Sequence, residues 1–145
     1  MGEVGRVILA RTEIRVRYAD TDQMHMVYYA KFFEYFEQGR SDLLRDIGLP
    51  YARIESLGYF LPVAEAYAKY LKPARYDDLL VVSTMLREVP MAKIRIEYEL
   101  RPAGADELHA TGYTCHSFID AKTGKVSRAP AFFTGAVEKK FHHSS

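Results

Sequence analysis

The chain has 145 residues, enough for one domain with a single sizeable core, and its 48% apolar and 27% charged residues are those of an ordinary soluble globule. A net charge of +1 excludes the broad basic field that drives nucleic-acid binding. The single cysteine, Cys115, excludes an internal disulfide, and no apolar run suits a signal peptide or a membrane span, so a cytoplasmic protein is expected.

Residues 1–5 are expected to fray. Alternation predicts a strand over 11–18, with Ile14, Val16 and Tyr18 on one face and Glu13, Arg15 and Arg17 on the other. A loop or short helical turn covers 19–27. The main helix starts near Tyr28 or Tyr29 and runs to Ile47, on an apolar stripe of Phe32, Phe33, Phe36, Leu43, Leu44 and Ile47. It would be roughly 30 Å long. Gly48 suits the left-handed residue after a helix, and Pro50 prevents continuation. Gly39, inside the helix, signals close approach of another backbone or a ligand, or is simply tolerated at a cost of about 1 kcal/mol. Further helical turns follow over 51–57, closed by Gly58.

The rest reads as strands. Residues 60–71 form a long one, with Ala64, Ala66 and Ala68 on a face where a helix could pack closely. A turn over 73–78 leads to a strand over 79–86, a turn begins at Glu88, and 93–100 alternates with Ile94, Ile96, Tyr98 and Leu100 inward. A turn over 102–106 precedes a strand over 108–119. A polar turn follows at 120–124, then a short strand from Val126 and a helix around 131–139, with residues 140–145 flexible. Short connections imply antiparallel pairing. The expected fold is α+β, one domain with one long helix packed against an antiparallel five- to six-stranded sheet.

The chemistry concentrates at residues 18–29. Asp20-Thr21-Asp22 fails as a calcium-binding EF-hand loop: counting from Asp20, the sixth position is His25 instead of Gly and the twelfth is Lys31 instead of Glu. Nor does it follow a buried parallel strand, as an Asp-x-Asp phosphotransferase site would. Asp20 reads first as a residue that shapes the turn. Asp22 lies deeper in the loop, seven residues before Tyr29. The first N–H groups of a helix lack intrahelical partners and sit at the positive end of its dipole, so they suit a developing oxyanion.

Tyr18-Ala19-Asp20-Thr21-Asp22, then Val27-Tyr28-Tyr29-Ala30, then Phe33, Phe36, Glu37 and Arg40, resemble the hotdog-fold acyl-CoA thioesterases of the 4-hydroxybenzoyl-CoA thioesterase type and their Tol-Pal-associated relatives. The turn Pro73-Ala74-Arg75-Tyr76-Asp77-Asp78 is similar to the family's turn after its long strand. The resemblance spans about residues 10–120. It implies a hotdog fold, hydrolysis of an acyl-CoA to free acid and thiol, no metal, no cofactor beyond the coenzyme A of the substrate, and a homodimer or homotetramer whose sheets run together with sites at the interface.

Carried onto this sequence, the resemblance makes Asp22 the nucleophile or general base and the Tyr29 amide the oxyanion donor. Substrate would also meet His25, Val27, Tyr28, Glu65, Arg87 and Lys93. Several positions depart from the family. Tyr29 stands where the Tol-Pal relatives usually have His, and His25 where Gly is common. Pro90 and Met91 replace the basic residues that take coenzyme A phosphates, which leaves Arg87, Lys93, Lys69 or Arg75 for that task. His109 and His116 are read onto opposite faces of one strand, and Cys115 into the core. Alternatives are a non-catalytic acyl-thioester-binding protein, a thioesterase acting on acyl carrier protein, and a hydratase, which the absence of His from the helix disfavours.

Overall fold

In the computed structural model, which describes residues 6–144, a long helix lies across an antiparallel seven-stranded sheet. The expected frayed residues 1–5 and the terminal Ser145 lie outside the described residues. In chain order the elements are β1 (Ile8–Arg15), a single 3-10 turn at Tyr18–Asp20, α1 (Lys31–Asp46), α2 (Tyr51–Ser56), β2 (Tyr59–Phe60) and β3 (Val63–Tyr70). There follow β4 (Leu79–Leu86), β5 (Lys93–Pro102), β6 (Ala110–Asp120), β7 (Val126–Ser127) and α3 (Ala131–Ser144). Strand order is β1-β4-β5-β6, with β3 along the far side of β6 and the short β2 and β7 on either side of its C-terminal end.

Each boundary that departs from the sequence pattern has a local cause. β1 sits three residues earlier than expected, because it pairs Ile8 with Leu86 through Arg15 with Leu79 along the eight residues of β4. Past Val16 the chain turns into the 3-10 segment, so Tyr18 points to solvent and is 66% exposed. The expected strand over 60–71 is broken at Leu61 and Pro62 into β2 and β3. α3 continues to Ser144, beyond the expected end near 139 and through residues expected to be flexible. β5 alternates as expected, with Ile94, Ile96, Tyr98 and Leu100 fully buried.

The core lies between α1 and the inner face of β1, β4 and β5, and α3 adds Phe133 and Val137 to it, running beside β1 with the Phe133 ring edge-on to Phe118 of β6. Phe36 stacks on Tyr98 at 4.5 Å between centroids. Gly39 is where α1 comes closest to the sheet: a Cβ there would run into Thr84 Oγ1 and lie 3.0 Å from Val82 Cγ1. The close neighbours are strand side chains, not a ligand. The alanine face of β3 meets α1 at one end only: Ala68 is half-buried against the core and Tyr70 touches Phe32, while Ala64 and Ala66 stay exposed, because β3 lies at the sheet edge.

A line of buried polar groups crosses this core. Arg40, 6% exposed, donates to Tyr51 Oη at 2.5 Å and to Tyr98 Oη at 3.1 Å. Tyr98 Oη lies 2.6 Å from Thr114 Oγ1, which lies 2.9 Å from His116 Nε2, and His116 Nδ1 lies 3.1 Å from the Leu61 carbonyl. A carbonyl only accepts, so Nδ1 carries the proton. A neutral imidazole then accepts at Nε2 from Thr114, which takes the hydroxyl of Tyr98, which takes Arg40. Every donor points the same way along the line. Burial and the Arg40 guanidinium hold His116 down to about 4, against the opposing pull of the Leu61 carbonyl.

Candidate active site

The Asp22 loop is a small hairpin fastened at both ends. The Asp22 amide donates to the Met26 carbonyl at 2.8 Å, and the His25 amide to the Asp22 carbonyl at 2.9 Å. Asp22 Oδ1 accepts from the amides of Met24 at 2.8 Å and Met26 at 3.3 Å, the local side-chain-to-backbone bonding that short Asp side chains favour in turns. Oδ2 has no hydrogen-bond partner among the described residues. One carboxylate oxygen is therefore anchored, and the other is presented. The hairpin rests on the segment after β3, with the Val27 amide donating to the Ala74 carbonyl at 2.8 Å and Met26 bridged to Arg75.

Asp20 has a different task. It is 3% exposed and accepts from Tyr35 Oη at 2.8 Å, from the Arg17 amide at 3.2 Å and from Arg17 Nη2 at 3.1 Å. Burial raises its pKa, but the bonds from Tyr35 and Arg17 outweigh this and leave it below the ordinary value. Its own carbonyl accepts the Tyr28 amide at 3.0 Å. Asp20 thus ties the 3-10 turn to α1 and sets where the helix begins, in keeping with its reading as a structural residue.

That beginning lies slightly later than expected. α1 spans Lys31–Asp46, preceded by a turn in which the Lys31 amide donates to the Tyr28 carbonyl at 2.8 Å and the Phe32 amide to the Tyr29 carbonyl at 3.2 Å. The amides of Tyr29 and Ala30 donate to no group among the described residues. These are unpaired donors at the positive end of a four-turn helix.

Asp22 and Tyr29 line one cleft of about 400 Å³. Met26, Val27, Tyr28 and Phe32 complete one wall, and Tyr70, Leu71, Lys72 and Pro73 form the other. The wall is aromatic: the rings of Tyr28 and Tyr29 are 4.6 Å apart, those of Tyr29 and Tyr70 6.1 Å, and those of Phe32 and Tyr70 5.2 Å. Tyr70 Oη donates to the Tyr29 carbonyl at 3.1 Å, joining the end of β3 to the start of α1. Tyr70 and Lys72 escape the sequence reading. Tyr70 lies on a strand whose neighbours were unknown, and Lys72 looks like any turn lysine.

Of the substrate-contacting residues expected from sequence, Val27 and Tyr28 join Asp22 and Tyr29 in this cleft, and four others do not. His25 occupies a left-handed backbone position with φ of 63°, and its ring turns toward Tyr18, with centroids 6.3 Å apart. Glu65 is on β3 opposite Cys115 and accepts from Tyr113 Oη at 2.6 Å on the outer sheet face. Arg87 pairs with Glu97 at 2.7 Å and lines a separate cavity with Glu88, Val89 and Glu138. Lys93 starts β5 opposite Ser117. Arg87 and Lys93 are therefore at the end of β4 and β5 away from the Asp22 loop, which joins the sheet near Arg15 and Leu79. Cys115 is half-buried on the outer face instead of in the core. His116 points inward, and His109 precedes β6. Among the described residues no group of three or more His, Cys, Asp or Glu side chains could hold a metal, and no helix is long and apolar enough to cross a membrane.

Residues 16–137 match the sequence model of the thioesterase-like superfamily. The chain is 35% identical over 118 residues to YneP of Bacillus subtilis strain 168, covering 81% of this chain and 84% of that protein. It is 34% identical over 131 residues to the acyl-CoA thioesterase YbgC of Haemophilus influenzae, covering 90% and 92% respectively. Among solved structures, the DHNA-CoA thioesterase from Staphylococcus aureus superposes with a TM-score of 0.83 at 30% identity, covering 91% of this chain and 90% of that one.

Proposed function

This chain belongs to the thioesterase-like hotdog superfamily, and from that premise we propose that it hydrolyses acyl-CoA thioesters to free acid and coenzyme A. The observation that carries the reading is the meeting, in one cleft, of a half-anchored carboxylate and an unpaired helix-start amide. The thioester carbonyl oxygen accepts from the Tyr29 amide. Asp22 Oδ2 takes a proton from a water whose oxygen attacks the carbonyl carbon, or itself attacks to form an anhydride that water then opens. In either course the negative charge of the tetrahedral intermediate falls on the oxygen facing Tyr29, where one such donor contributes about 3–4 kcal/mol. The C–S bond then breaks, and the thiolate leaves and takes up a proton. The aromatic wall supplies the apolar surface for the acyl group.

The reading includes a homo-oligomer. Among the described residues β3 is hydrogen-bonded to β6 along one side only, and Val63, Tyr67 and Tyr70 on it are 43–48% exposed. An open edge of that length is a template for a second strand, and a second copy pairing there would carry the sheet across both protomers. Arg87 and Lys93, remote from Asp22 within one protomer, would serve a coenzyme A site only across such an assembly. The test is thiol release from short, long and aromatic acyl-CoAs. Turnover by the wild type that is lost in Asp22→Ala supports the reading. Binding of the same esters without release from any of them would favour the non-catalytic alternative, and release only from acyl carrier protein esters the other.

A further inference from the structure

Resting on the reading of the Asp22 cleft as the thioesterase site, we propose that Lys72 is its anion-recognising residue, which takes a negatively charged group of the substrate at the mouth, and that Glu107 holds this cation in reserve while the cleft is empty. Of the ten described residues lining the cleft, Lys72 is the one cation and Asp22 the one anion. A ligand carrying a phosphate or a carboxylate meets the field of Asp22 on entry, and Lys72 is the charge that offsets it. The backbone at this point is pinned: the amides of Leu71 and Lys72 both donate to the His109 carbonyl, at 2.9 and 3.1 Å.

The side chain is free to change partners. Lys72 Nζ is paired with Glu107 Oε2, with the two side chains 52% and 53% exposed. An exposed pair of this kind is weak and exchanges readily with a competing anion. Glu107 is not part of the cleft wall, and His109 Nε2, 3.6 Å from its Oε1, flanks its other oxygen. When a ligand anion arrives, the ammonium can swing to it while the carboxylate stays behind. The anion is either a phosphate of the coenzyme A arm or a carboxylate on the acyl group. The two sources share their chemistry and are separated by the choice of probe.

The experiment compares wild type with Lys72→Met, Lys72→Arg and Glu107→Gln, using acetyl-pantetheine, acetyl-CoA and succinyl-CoA. Binding is measured by calorimetry in the Asp22→Ala background, and turnover in the Asp22-containing proteins. Lys72→Met is expected to weaken anionic probes about tenfold, through KM and not kcat, and to leave acetyl-pantetheine unchanged. Arginine should restore the loss, and Glu107→Gln should tighten binding. Loss on both CoA esters alike assigns a carrier phosphate; loss on succinyl-CoA alone assigns the acyl carboxylate. An equal loss on acetyl-pantetheine, no loss on any probe, or no binding of any probe to the wild-type cleft overturns the proposal. Lys72-dependent binding without turnover would instead refute the hydrolase reading and leave the anion site standing.

Discussion

His25 shows how a single residue can differ from the role its chemistry suggests. An imidazole three positions from the Asp22 carboxylate invites a catalytic part, yet its backbone is left-handed and its ring faces Tyr18. The resemblance places Gly here, and a φ of 63° explains why: only Gly adopts it without strain. We expect His25→Gly to raise stability by about 1 kcal/mol in urea denaturation and to leave kcat within a factor of about two. A large loss of kcat would return the imidazole to the reaction. Asp20 and Asp22 differ in the same instructive way. They are two positions apart and of one type, but one is sealed under Tyr35 and the other presents a bare oxygen to a cleft. Sequence spacing could suggest this division. It could not name Tyr35 as the partner, because that contact depends on how the 3-10 turn meets the first turn of α1.

At the scale of elements, α1 is held to the sheet at a contact that admits no methyl group. Alanine at position 39 would gain up to about 1 kcal/mol of helix propensity. It would also press into Val82 and the hydroxyl of Thr84, and overpacking costs about 1–3 kcal/mol. Gly39→Ala is therefore expected to lower the midpoint of chemical denaturation; a rise would mean that α1 can lift off β4 at little cost. The line from Arg40 to His116 brings a pH dependence to the same packing. His116 titrates near 6.5 when unfolded and near 4 when folded. Between those values the unfolded chain binds a proton that the folded chain refuses, so acidification through this window removes stability, about 3 kcal/mol in full, and above it the contribution is constant. Denaturation midpoints should fall from pH 7 to pH 4 in wild type and fall less in His116→Gln. Equal slopes would show that the imidazole is not the group responsible.

For the whole molecule, the open edge of β3 sets the expectation that two copies join. Sedimentation equilibrium should give a mass of at least two chains, and a monomer at micromolar concentration would contradict it. The edge is also where legibility in the sequence ended. The alternation of alanines with larger residues over 63–70 marks a strand correctly, but alternation says which residues share a face and not what covers that face. The expected helix partner packs mainly on β1, β4 and β5 and reaches this face only at Tyr70. The long helix and the β4–β5–β6 meander were readable because each lies within one continuous stretch with a strong period or turn signal; Asp22 and Tyr29 were singled out by the family resemblance, and both line one cleft. Tyr70 and Lys72 were not, since they reach the cleft only through the docking of the segment after β3 onto the 21–27 hairpin.

Whether Asp22 acts chemically or structurally is tested most directly by one comparison: thiol release by wild type and Asp22→Ala on the best acyl-CoA of the panel, beside their melting temperatures. Asp22 is exposed, and among the described residues its side chain bonds only two amides of its own loop. The expected result is a kcat lower by about 10²–10⁴-fold with a melting temperature within about 3 °C of wild type. Activity retained in the folded variant would contradict the account and place the reaction elsewhere than the cleft of Asp22 and Tyr29.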